Sequence, residues 1–88
     1  MIELFNKMTM EQLIFLYEFF ENLGKVEGKL AHAATDEPEK KWHERWGQVS
    51  FDMWMVLGPY ITDRVNATDN DNPEVEQYLE WIKKRAKE

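Results

Sequence analysis

The residues best equipped for chemistry are two histidines, His32 and His43, and a surplus of carboxylates. His43-Glu44 opens like the helical zinc-protease motif, in which two histidines four residues apart hold the metal. The place of the second ligand, residue 47, is glycine, so the pair is incomplete and His43 reads as a solvated or capping histidine. Glu18 and Glu21 stand one turn apart, a spacing that puts two carboxylates on one helix face. No ExxD partner follows elsewhere in the chain, so a magnesium-holding pair of helices is not supported. Ser50 has no neighbouring His or acid that sequence can place beside it, which leaves nucleophilic catalysis without its base. No glycine-rich phosphate loop is present. The chain is expected to be no enzyme and to carry no metal or other cofactor. A metal-dependent hydrolase of unrecognised type is the third reading.

Asp69-Asn70-Asp71-Asn72 resembles the start of a calcium loop. Counted from Asp69, the sixth position, where an EF-hand needs glycine, holds Glu74; the twelfth holds Glu80. Asx residues ahead of a helix are better read as turn and cap chemistry. The acids Asp63, Asp69, Asp71, Glu74 and Glu76 still form a run opposed only by Arg64, and they define a candidate acidic surface. Such a surface could meet a basic partner or act as a decoy for a nucleic-acid backbone, giving fast, salt-sensitive association.

The charge balance limits the partners. Seventeen acids against eleven bases give a net charge of −6, which disfavours direct binding to nucleic acid or an anionic membrane. The basic cluster Lys83, Lys84, Arg85 and Lys87 has a helix-end explanation, since cations favour the negative end of the helix dipole. No cysteine is present, which removes disulfides and Cys-based zinc sites and fits a reducing, cytoplasmic setting. No stretch reaches the ~20 apolar residues of a membrane span.

The elements that must position these groups are helical. A single domain over 1–88 is expected, built as an all-α bundle of three main helices at about 10–34, 37–66 and 73–87. The first two make a long antiparallel hairpin, and the third packs back across them through Val75, Leu79 and Ile82. Thr9 and Gln12 have capping-box form, and Asp36-Glu37-Pro38 and Asn72-Pro73 are cap-then-proline starts. Gly24 or Gly28 could break the first helix, and Gly58-Pro59 predicts a kink or short break in the second. Residues 1–8 read as a turn or strand laid on the bundle.

The central helix carries two apolar rows. Trp42, Trp46, Val49, Met53, Val56 and Tyr60 recur at spacings of 4, 3, 4, 3 and 4, and Gly47, Ser50, Trp54, Leu57 and Ile61 lie beside them. In the first helix Leu13, Leu16, Phe20 and Leu23 form a seam, with Ile14, Phe15, Tyr17 and Phe19 spreading apolar character around the circumference. Two helices this apolar need more cover than a chain of 88 residues provides, because small domains bury a smaller share of their surface. The expected function is therefore a protein-binding module, self-associating or acting as a small inhibitor or adaptor. Trp and Phe are favoured interface anchors, which makes Phe15, Phe19, Trp42, Trp46, Trp54 and Trp81 the candidate contacts.

Overall fold

The computed structural model describes residues 2–87; Met1 and Glu88, the limits of the expected 1–88 domain, lie outside the described residues. Four helices follow in order: α1 (Ile2–Asn6), α2 (Met10–Ala33), α3 (Glu37–Asn66) and α4 (Pro73–Ala86). The fold is all-α, with α2 and α3 as a long antiparallel hairpin and α4 returning across it.

Each helix start follows from local chemistry. At α2 the Gln12 amide donates to Thr9 Oγ1 at 3.1 Å while the Thr9 amide donates to Gln12 Oε1 at 2.9 Å, a complete capping box. Asp36 accepts from the Glu39 amide at 2.8 Å to open α3, and Asn72 accepts from the Glu74 amide at 2.9 Å to open α4. Each of these two starts has a proline in its first turn, where its missing N–H costs nothing. Neither Gly24 nor Gly28 ends α2. Of the kink and the short break that Gly58-Pro59 allowed, the break is excluded, since α3 stays helical across the pair.

Residues 2–6 form a one-turn helix rather than a turn or strand. The reason lies in one anchor: Phe5 is buried against the hairpin, its ring 5.3 Å from Tyr60, and a helical turn presents it there. Arg64 Nη1 donates to the Phe5 carbonyl at 3.2 Å and holds the turn in place.

The core is Phe5, Met10, Leu13, Leu57 and Ile61, ringed by partly buried residues including Tyr17, Phe20, Met53, Tyr60 and Tyr78. On α2 Met10 and Leu13 are buried, and the inward seam continues half-buried through Tyr17, Phe20 and Gly24. Of the expected Leu13, Leu16, Phe20 and Leu23, Leu13 and Phe20 lie on it, while Leu16 and Leu23 are half-buried beside it, Leu16 packing against the core. On α3 the inward row is the second one, with Ser50, Leu57 and Ile61 buried. Small residues explain the choice. An added Cβ on Gly24 would lie 3.7 Å from Ser50 Cβ, and one on Gly47 3.7 Å from Glu27 Cβ, so the helices approach closely along that line. The bulk of Trp42 and Trp46 could not occupy it.

α4 docks through Val75 as expected, but not through Leu79 and Ile82. Val75 is buried, and Tyr78, Trp81 and Arg85 are half-buried, whereas Leu79 and Ile82 are exposed. Trp81 meets Tyr17 edge-on at 5.3 Å, and the Arg85 guanidinium lies over both rings. Stacking and cation–π attraction on the half-open groove outweigh burial of two aliphatic side chains.

A candidate protein-binding face

Helical phase sorts the hairpin into two faces. The inward row of α3 runs His43, Gly47, Ser50, Trp54, Leu57 and Ile61. One residue back, about 100° of rotation, lies the row Trp42, Trp46, Val49, Met53 and Val56. On α2 the inward row and its one-back neighbour, Leu16, Phe19, Leu23, Val26 and Leu30, stand in the same relation. In antiparallel helices the same step turns both rows toward the same side. The one-back rows therefore share an outer face, and the one-forward residues share the opposite face, where α4 docks.

α1 caps the outer face at Tyr60 and leaves the rest uncovered. Phe15 is 68% exposed, Trp42 58%, Val49 50%, Phe19 49% and Trp46 44%, and Val26, Leu30 and Val56 are exposed as well. Trp42 and Trp46 meet edge-to-face at 5.9 Å, and Phe15 stacks on Phe19 at 6.4 Å, so the aromatics hold one another in place. Of the six aromatics singled out from sequence, these four lie on or beside the outer face. Trp54 and Trp81 do not; both are half-buried, Trp54 in the inward row and Trp81 on α4, and Tyr17 lies 5.6 Å from Trp54 and 5.3 Å from Trp81. Val26, Leu30, Val49 and Val56 complete the patch and could have been found by continuing each aromatic row at spacings of three and four.

Comparisons with protein families, curated proteins and solved structures return no match.

The chemistry-bearing side chains are engaged in holding helices together. Glu18 accepts from the Trp81 indole N–H, and Glu21 accepts from Arg85 at 2.9 Å, so the ExxE pair clamps α4 to α2. Burial pushes the Glu21 carboxyl up, but the Arg85 hydrogen bond and charge, with Lys25 behind them, outweigh it and hold the group below its ordinary value of 4.5. His43 Nδ1 meets Glu27 across the hairpin at 2.5 Å, both side chains being mostly buried. His32 is exposed. Among the described residues no three His, Asp or Glu side chains converge as a metal site.

The acidic candidates are only partly gathered. Asp63, Asp69, Asp71 and Glu76 are exposed, but Glu74 takes two hydrogen bonds from Arg64, whose guanidinium these bonds hold above its ordinary value despite burial. On the α4 side the hairpin groove continues beyond the end of α4 as an open trough of about 940 Å³, floored by Gly24, Gly28 and Gly47. The Trp54 indole nitrogen, buried and without an acceptor, lies in its wall. No helix of the described residues is long and apolar enough to cross a membrane.

Proposed function

We propose that this chain is a non-catalytic protein-binding module that contacts its partner through the outer face of the α2–α3 hairpin. The observation that carries this reading is the exposed pair Trp42 and Trp46 within an unbroken apolar row. Solitary exposed apolar residues are ordinary, whereas a contiguous patch of them marks an interaction surface. Tryptophan is also the residue type most enriched among the few that dominate binding energy. The absence of catalysis is supported by how Glu18, Glu21, Glu27 and His43 are used, each tied to another helix.

The test is a photo-cross-linking residue placed singly at positions 46 and 49 on the outer face and at 76 and 80 on the acidic side. Protein adducts are expected from 46 and 49 alone. Adducts from 76 or 80, with none from 46 and 49, would overturn the reading in favour of the acidic surface.

A further inference from the structure

We infer that the occupant of the outer face is a second copy of the chain, stacked face to face with its hairpin turn at the opposite end, so that two hairpins make one four-helix bundle. This rests on the reading of that face as a protein-binding surface, and adds the partner and its orientation.

Area is the first argument. A compact monomer of this mass exposes roughly 5,500 Å², whereas this chain exposes 6706 Å². The excess, about 1,200 Å², is more than the ~800 Å² that each partner contributes to a standard interface. Shape agrees with area. The chain is a slab of 53 × 32 × 15 Å with a radius of gyration of 15.7 Å, against about 12 Å for a compact domain of this length. Stacking a second slab on the outer face restores ordinary compactness.

Sequence spacing supplies the second argument. Both helices carry an inner and an outer row, and each repeats at alternating threes and fours. One such row per helix suffices for a hairpin. A second is what each helix of a four-helix bundle needs to pack against two neighbours at about 20°.

Orientation follows from α1 and from charge. α1 stands on the outer face at Tyr60. Two copies with their turns at the same end would drive their α1 helices together, whereas opposite ends set each α1 near the other copy's Asp36–Pro38 turn. Opposite ends also lay α3 antiparallel on its own copy about a dyad near Val49, midway between Trp42 and Val56. Arg45 and Asp52, on the rim of the face and nearly equidistant from that point, then oppose each other across the dyad, an isologous and self-complementary arrangement.

The experiment is sedimentation equilibrium of the full chain over a hundredfold concentration range, with Val49 variants alongside. The expected mass is twice 10.6 kDa, and Val49→Glu, which buries an unpaired charge at the dyad, raises the dissociation constant at least about a hundredfold while the helical circular dichroism is kept. Should Val49→Glu unfold, Val49→Ser decides: a dissociation constant raised tenfold supports the proposal, and an unchanged one overturns it. Because the chain has no cysteine, Val49→Cys reports the dyad directly. It is expected to form an intermolecular disulfide on mild oxidation, and Phe51→Cys, on the opposite face, to form none; the reverse pattern overturns the proposal. A monomer at every concentration also overturns it, and iodide quenching then separates the two readings. Quenched tryptophan emission leaves the binding face standing for another protein, and unquenched emission removes both.

Discussion

At the scale of the residue, the contact with the clearest consequence for solution behaviour is Glu21 with Arg85. Arg85 reaches from α4 to a carboxylate on α2 that is mostly buried, and it does so while stacked on Tyr17 and Trp81. A carboxyl held below its ordinary value stabilises the fold when ionised. That contribution is fully present above about pH 4.5, the unfolded value, and is lost as pH falls through the depressed folded value. Glu21→Gln carries the protonated shape at every pH. Its melting temperature is therefore expected to lie below that of the unsubstituted chain at pH 7 and to converge with it as pH falls below the depressed folded value. A difference between the two proteins that stays constant with pH would show that Arg85 does not depend on the charge of Glu21. Arg85 is itself about one-third exposed, so solvent screening keeps the pH 7 difference modest.

At the scale of the element, the glycines separate helix propensity from packing. Gly28 lies inside α2 with nothing within 4 Å of an added Cβ, so Gly28→Ala is expected to stabilise by about 0.5–1 kcal/mol in chemical denaturation. Gly58 lies inside α3, where an added Cβ would approach Tyr17 Cε2 to 3.3 Å. The same propensity gain there is offset by pushing Tyr17 against Trp54 and Trp81, so Gly58→Ala is expected to gain less than Gly28→Ala or to lose stability. Equal gains at the two sites would mean that Tyr17 yields freely. These positions also show what sequence conveys. Caps, prolines and row spacings are local chemistry, and they place α2, α3 and α4 to within about a residue of their ends. Which of two adjacent rows turns inward is not local. Trp42-Trp46-Val49 and Gly47-Ser50-Trp54 have the same period and differ in bulk, and the smaller row wins because Gly24 faces it from α2. Leu79 and Ile82 were expected inside for their hydrophobicity, but the place is taken by Trp81 and Arg85, whose partner Tyr17 lies 64 and 68 residues away in sequence.

At the scale of the whole molecule, stability and association become one quantity. The intrachain core rests on five fully buried apolar side chains, each contributing about 1.5–3 kcal/mol. The outer rows add Phe19, Val26, Leu30, Trp42, Trp46, Val49 and Val56, all exposed in the single chain. If a second copy covers them, ligand-type linkage applies: anything that binds only the folded state adds stability that grows with its concentration. The melting temperature of the chain is then expected to rise by several degrees over a hundredfold increase in concentration, since about 1 kcal/mol shifts a domain of this size by roughly 4–8 °C. Val49→Glu, folded but monomeric, is expected to melt at one temperature throughout that range and below the unsubstituted chain at its upper end. A melting temperature independent of concentration in both proteins would assign the whole stability to the hairpin, α1 and α4. It would also mean that the uncovered face contributes nothing to holding the chain together. Calorimetry at two concentrations separates these outcomes, because a dimer that melts with dissociation gives a transition whose midpoint moves and a monomer gives one whose midpoint does not.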